Sequence, residues 1–303
     1  MRVAALDLGT NSFLCLIVEG DKAGIKEVLS DQVKVVRLGQ GVDKTGSFHP
    51  DALARAKACL KEFKQEIDKH NVDRILAMAT SAARDAKNGQ ELFKIGLDLN
   101  IPIEIIPGRD EAQITFAGAT EGVFQGDENI IVIDVGGGST EFIVGNKSKL
   151  HFSKSLNLGC VRMTEKYITT QPISQKERVI VEEAISQQLE AILPEVQKYA
   201  AKEILAVAGT PSALAIAEIG KFDSEKVQGF VLDQNKLKKW CDILASTSVQ
   251  EKIDKYKIET GRADVLFVGA TILHHFLLKM NRPSMRVSIK GVRYGVALEA
   301  LRR

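Results

Sequence analysis

The chain predicts an α/β protein in which one fold is used twice, and two observations carry that expectation. The first is a repeated unit: Asp7-Leu-Gly-Thr-Asn-Ser12 and Asp134-Val-Gly-Gly-Gly-Ser139 each lie between two apolar runs. Asp7 pairs with Asp134, Gly9 with Gly136 and Ser12 with Ser139 at one constant offset. The second is a later match, Ile75-Leu-Ala-Met-Ala-Thr-Ser81 with Ile204-Leu-Ala-Val-Ala-Gly-Thr210, at almost the same offset. Two matched segments at nearly one spacing mark a duplicated domain.

The elements follow from apolar periodicity and turn residues. Residues 3–6, 13–18 and 25–37 read as strands, with Gly20-Asp21 as a hairpin turn. The polar stretch 39–50 leads into an amphipathic helix, where Leu53, Ala56, Leu60, Phe63 and Ile67 recur at helical spacing among lysines. A buried strand at 74–78 follows, then a turn of small residues, a helix near 88–100 and a strand at 101–106. Gly108 opens a helix expected to run to about Phe124. The second half restarts with strands at 130–134, 141–144 and 150–155, then helices over 174–200 and a buried strand at 204–208. Gly209-Thr210-Pro211 opens the next helix, and Pro suits a first helical turn. Three hairpin strands followed by alternating helices and strands, twice over, describe a duplicated ribonuclease H-like fold. The polar Gly126-Asp127-Glu128 is the expected hinge, giving domains over residues 1–125 and 126–291. The helical stretch 292–303 is expected to return to the first domain.

Composition narrows the function classes. A chain of 303 residues can bury two ordinary cores, and 45% apolar with 26% charged residues is a globular balance. A net charge of +2 provides no global field for nucleic acid, so none is expected as a partner. No apolar run approaches the ~20 residues that cross a bilayer, and a strand begins almost at once, leaving no room for a signal peptide. Cys15, Cys59, Cys160 and Cys241 form no CxxC pair, so neither zinc nor a disulfide framework is indicated. A reduced, cytoplasmic protein with no membrane partner is the expectation.

An Asp closing a buried strand, a tight turn of Gly and hydroxyls, and a second strand make a phosphate cradle with a carboxylate ready for a divalent cation. Two cradles imply two facing half-sites around one polyphosphate. A Walker loop is not the source, since nothing matches GxxxxGK[ST]. A dinucleotide fold fails too, because residues 136–138 are followed by the β-like Glu141-Phe-Ile-Val144 rather than a helix.

Several stretches together resemble the exopolyphosphatase/guanosine pentaphosphate phosphatase family: Leu6-Asp-Leu-Gly-Thr-Asn-Ser-Phe13, Thr80-Ser-Ala-Ala-Arg84, Pro107-Gly-Arg-Asp-Glu-Ala112, Asp134-Val-Gly-Gly-Gly-Ser-Thr-Glu141, Leu156-Asn-Leu-Gly-Cys-Val-Arg162 and Ala208-Gly-Thr210. The resemblance runs from residue 3 to about residue 300. It implies the actin, sugar kinase and heat-shock chaperone ATPase superfamily. Thr10 stands where the family commonly has Ser, and Asp110 where Glu is common before Glu111. Longer members continue into a region resembling an HD-type phosphohydrolase. Its absence from the printed chain leads to an expectation of short substrates and release between cleavages.

Hydrolysis of a terminal phosphoanhydride needs a cradle, a cation and a group to orient water. The resemblance implies Glu111 as that group, although acidic residues also favour first helical turns for their effect on the dipole. Asp134 and Glu141 are candidate Mg²⁺ ligands, with Asp7 the symmetric partner of Asp134, because buried strand-end carboxylates are costly unless paired or metal-bound. Thr10, Asn11, Ser12, Gly137, Gly138 and Ser139 supply hydroxyls and backbone donors to phosphate, and Gly209-Thr210 adds a helix N-terminus. The resemblance supports Arg84 and Arg262 as phosphate ligands, with Arg293 a further candidate. His274-His275, inside an apolar helix, reads as packing rather than metal; Trp240 reads as packing, and the lysines at 236–239 as a solvated face.

The expected function is a Mg²⁺-dependent phosphohydrolase acting on inorganic polyphosphate or guanosine pentaphosphate. A small-molecule kinase of the same superfamily would need a sugar-binding insert and a catalytic Asp after the first hairpin, and neither is seen. A non-catalytic actin-like or chaperone ATP-binding module would need insertions or a peptide-binding region. The choice of substrate, phosphotransfer to nucleotides and oligomeric state, a homodimer included, stay open.

Overall fold

The computed structural model describes residues 1–123 and 126–303. Phe124, the expected end of the helix opened by Gly108, lies outside the described residues. The chain divides into two compact units, Met1–Glu121 with Lys290–Arg303, and Gly122–Ile289.

In the first unit the strands are β1 (Arg2–Leu8), β2 (Ser12–Asp21), β3 (Gly24–Val35), β4 (Arg74–Ala79) and β5 (Ile103–Ile105). Among the described residues they form a five-stranded sheet in the order β3-β2-β1-β4-β5. The first three pair antiparallel, while β4 joins β1, and β5 joins β4, in parallel. In the second unit they are β6 (Ile130–Val135), β7 (Thr140–Gly145), β8 (Leu150–Leu156), β9 (Glu203–Val207), β10 (Val231–Asp233) and β11 (Ser284–Val287). Their order is β10-β11-β9-β6-β7-β8. Read from the hairpins, β8-β7-β6-β9-β11 repeats β3-β2-β1-β4-β5 pairing for pairing, and β10 adds an antiparallel edge. This is the duplicated ribonuclease H-like fold. The sequence reading contained neither β10 nor β11, which are too short to show an alternating pattern.

Strand alternation decides which residues reach the functional edges. On β1, Ala4, Leu6 and Leu8 enter one core with the helix Pro50–Lys69, whose Leu53, Ala56, Leu60, Phe63 and Ile67 are all buried. Val3 and Ala5 enter the opposite core beneath the helix Val292–Arg302. Asp7 continues this second row. On β6, Ile131, Ile133 and Val135 enter the core formed with the helices Gln175–Glu190 and Leu266–Lys279, as Phe142 and Val144 of β7 do. Asp134 and Glu141 therefore project from the other face of that sheet.

Local differences from the sequence reading have plain causes. Gly20 and Asp21 still pair with β3, and the turn is made by Lys22-Ala23, with Asp21 Oδ1 accepting from Ala23 N at 2.8 Å. The small-residue turn after β4 is a short helix, Ser81–Asp85, because Ala83 N and Arg84 N both donate to Thr80 O at 3.1 and 3.2 Å. The helix Gly108–Ala119 stops where Thr120 Oγ1 folds back onto Phe116 O at 2.7 Å. The helix Cys160–Tyr167 has no counterpart in the sequence reading. No helix among the described residues is long and apolar enough to cross a membrane.

Two glycines set how closely the helix Gly108–Ala119 approaches Val292–Arg302. A Cβ at Gly118 would stand 2.2 Å from Gly291 O, and one at Gly295 would stand 1.9 Å from Ile114 O. Backbone meets backbone there, so neither neighbour can yield by turning a side chain. Gly118→Ala is expected to cost about 1–3 kcal/mol, as overpacking does, and to lower Tm by about 2–5 °C. An unchanged melting curve would contradict this packing.

Candidate active site

The two repeated turns share one construction. Gly9 N donates to Ser12 O at 3.1 Å, and Gly136 N to Ser139 O at 3.0 Å. In each unit the segment after the third strand then closes over the turn. Gly39 N donates to Thr10 O at 2.8 Å, and Val36 N and Arg37 N to Asn11 O at 2.9 and 2.7 Å. In the second unit Cys160 N donates to Gly136 O at 2.9 Å, and Val161 N and Arg162 N to Gly137 O at 2.9 and 3.1 Å. Arg162 Nε completes the set on Gly138 O at 2.8 Å. In a trans peptide the carbonyl and the next amide point oppositely. Tying back three successive carbonyls therefore turns the amides of Gly137, Gly138 and Ser139 the other way, as an anion nest requires.

The closing segment fits only because it carries glycine. A Cβ at Gly39 would stand 2.2 Å from Thr10 Cγ2, and one at Gly159 would stand 2.2 Å from Gly137 O. Leu38-Gly39 and Leu158-Gly159 are thus a third repeated element, each clamping its own turn. Arg162 is absent from the expected site residues. The recurring Leu-Gly after the third strand of each half was the signal that could have found it.

The carboxylates differ between the copies. Asp134 and Glu141 are directly opposed across the β6–β7 ladder, and both residues are buried, at 7% and 4% exposure. Ser155 Oγ donates to Glu141 Oε1 at 2.7 Å. Like charges facing each other across a ladder are destabilising, and a divalent cation bound by both relieves that repulsion. In the first unit the residue opposite Asp7 is Leu14, so this turn presents one carboxylate where the second presents two. Among the described residues no three His, Cys, Asp or Glu form a metal-binding group. Two opposed carboxylates are a donor set that fits Mg²⁺, an ion that keeps several waters and takes further oxygens from a phosphate substrate.

Glu111 lies in the first turn of the helix Gly108–Ala119, behind Pro107, and is buried at 5% exposure. Arg84 Nη1 bridges Glu111 Oε2 at 2.6 Å and Ile106 O at 2.8 Å. Burial pushes the Glu111 carboxyl above its ordinary range, while the charge and hydrogen bond of Arg84 pull the other way. The structure thus joins two residues to which the sequence assigned separate tasks. Arg84, expected from the sequence as a phosphate ligand, holds the carboxylate.

At the end of β9, Ala208 adopts φ 73°, ψ −164°, a conformation that is strained for a residue with a Cβ. The helix Gly209–Ile219 follows directly, with Pro211 in its first turn. The Arg262 guanidinium packs against Gly209, where a Cβ would stand 1.5 Å from Nη1. Thr210 is buried against Gly269, whose Cβ would stand 2.4 Å from Thr210 Oγ1. Gly209, Thr210 and Arg262 are therefore brought together at one helix N-terminus. Gly209→Ala should displace the guanidinium and raise KM for a phosphate-chain substrate by roughly tenfold, on the principle that ångström-scale misplacement is costly. A wild-type KM in a folded variant would separate Arg262 from the substrate.

A profile of the Ppx/GppA phosphatase family matches residues 16–303. The chain belongs to that family. Exopolyphosphatase 2 of Mycobacterium tuberculosis (strain CDC 1551 / Oshkosh) is 30% identical over 312 residues, covering 98% of each chain. An exopolyphosphatase from Cytophaga hutchinsonii superposes with a TM-score of 0.90 at 27% identity, over 99% of this chain and 98% of that one. The Ppx/GppA family member of Aquifex aeolicus gives a TM-score of 0.81 at 28% identity, over 99% and 97%.

Several other polar groups of this family member are held by structural contacts. Arg293, a candidate phosphate ligand by sequence, makes a bidentate clamp on Asp31 of β3, at 2.8 and 3.0 Å. Trp240 is buried, with Nε1 donating to Glu218 Oε1 at 2.8 Å. Lys236, Lys238 and Lys239 pair with Asp233, Asp242 and Glu218 on a solvated face. Burial lowers the pKa of both His274 and His275. The four cysteines are buried, which pushes Cys15, Cys59 and Cys241 to about 12 and Cys160 to about 11, leaving poor nucleophiles.

Proposed function

We propose that the chain is an exopolyphosphatase that releases the terminal phosphate of inorganic polyphosphate, with guanosine pentaphosphate as the other substrate offering the same bond. The observation that carries this reading is the buried Glu111, ion-paired to Arg84 in the first turn of its helix. A carboxylate whose pKa is raised by burial is a better proton acceptor near neutral pH than an exposed one. Glu111 orients a water and takes its proton as the oxygen attacks phosphorus in line. Arg84 keeps the carboxylate in place and supplies positive charge beside it. The amides of Gly137, Gly138 and Ser139 receive phosphate oxygens, as do Thr10, Asn11 and Ser12 in the first unit. Gly209, Thr210 and Arg262 hold a further phosphate.

Asp134 and Glu141 would hold Mg²⁺, with Asp7 a lesser contributor. When bound, the cation neutralises charge developing on phosphate oxygens. The likeness to exopolyphosphatases over nearly the whole chain supports polyphosphate as the substrate. The deciding experiment offers purified protein polyphosphates of defined length, guanosine pentaphosphate and ATP in parallel, and measures released phosphate. Polyphosphate is expected to be turned over fastest. Release from ATP alone would overturn the assignment in favour of a nucleotide-dependent activity.

A further inference from the structure

Lys252 is one of the largest fully buried side chains of the molecule, at 0% exposure, in the helix Val249–Tyr256. An ammonium removed from water is costly unless a specific partner receives it, so its contacts carry information. Its Nζ donates to Gln171 Oε1. The opposite end of that amide, Gln171 Nε2, donates to the main-chain carbonyl of Asp264 at 2.6 Å. An amide has one acceptor end and one donor end. A cation on the oxygen therefore fixes which end faces Asp264. Burial draws the Lys252 ammonium down to about 8, while the charges of Asp264 and Glu251 oppose that shift.

Asp264 stands two residues beyond Arg262 in a turn closed by Arg262 N and Ala263 N on Glu259 O, at 2.8 and 3.1 Å. Leu266 N donates in turn to Arg262 O at 3.1 Å, opening the helix Leu266–Lys279 on that same residue. The Arg262 side chain is only 13% exposed and is packed against Gly209. A small shift of the 259–265 turn would therefore move the guanidinium along the end of the helix Gly209–Ile219. We propose that Lys252 is a positioning residue: through the Gln171 amide it fixes the turn that sets Arg262 against Gly209. The inference rests on the assignment of Gly209, Thr210 and Arg262 to phosphate.

The test is a double-mutant cycle between Gln171→Glu and Arg262→Ala. Gln171→Glu keeps an acceptor for Lys252 but removes the donor to the Asp264 carbonyl. The relay breaks while the buried ammonium keeps a partner. KM and kcat for tripolyphosphate are measured for wild type, both single variants and the double variant. Each is also titrated with tripolyphosphate by melting temperature, so that binding is read without turnover. Gln171→Glu is expected to raise KM about tenfold with kcat within about threefold. In the Arg262→Ala background it should add nothing, an outcome that general destabilisation would not produce. If Arg262→Ala weakens binding and the two effects simply add, the role of Lys252 is overturned while the phosphate assignment stands. If Arg262→Ala leaves binding unchanged, both fall. Should Gln171→Glu fail to fold, Lys252→Met, of similar length and without the charge, carries the same cycle with the same outcomes.

Discussion

Glu111→Gln is expected to reduce kcat by about 10²–10⁴-fold, the usual contribution of a general base, while binding of a phosphate chain stays nearly intact. The amide has the size of the carboxylate, and its oxygen can still accept from Arg84 Nη1, which lies 2.6 Å from the native carboxylate. What it cannot do is take a proton from water. Burial raises the Glu111 pKa in the folded protein. The associated stability is present below the unfolded pKa and is lost as pH rises through the folded value. A neutral amide escapes that loss, so at pH 8 the variant should melt no lower than wild type. Activity has the opposite dependence, since the base works only when ionised and the rate falls as pH drops through its pKa. Arg84→Leu removes both influences that lower this pKa, so the acid limb of kcat/KM should move to higher pH. A loss of less than tenfold in folded Glu111→Gln would end the assignment of the base.

The duplication was legible because each copy needs the same scarce ingredients at the same place. Asp, Gly and hydroxyls must lie between two strands, so Asp7–Ser12 and Asp134–Ser139 stand out of the apolar background. The duplicated fold followed from that repeat, and the two sheets share their pairing pattern. The brace behind each turn was harder to see. Most of its hydrogen bonds come from the main-chain amides of Val36, Arg37 and Gly39 and of residues 160–162, and an amide leaves no mark on side-chain identity. The Leu-Gly pair was a visible trace, but the loops between turn and brace differ in length, so it falls at another offset. The Arg84–Glu111 pair was hidden for a different reason. Each residue is read from its own local motif, and only the β4–β5 pairing brings the two segments together. Arg293 was a further phosphate candidate, and its ion pair with Asp31 of β3 could not be read from either local segment.

Asp134→Asn should raise the Mg²⁺ concentration needed for half-maximal activity by at least about 10–100-fold. Loss of even an outer-shell partner costs about 10–100-fold in metal affinity, and a direct ligand should cost no less. The geometry makes a second demand that tests the same idea without turnover. Asp134 faces Glu141 across the ladder, both buried, and like charges so placed disfavour the fold. An amide at 134 removes one of those charges and can donate to the other. In excess chelator the Asn variant should therefore melt at or above wild type, whereas in Mg²⁺ wild type should gain Tm and the variant should gain little. Asp7→Asn is expected to do less in both measurements, because the residue opposite it across the ladder is Leu14 rather than a second carboxylate. Full wild-type activity in excess chelator would remove the cation from the mechanism. An Asp134→Asn protein with a native Mg²⁺ requirement and a native Tm gain would place the cation on other residues.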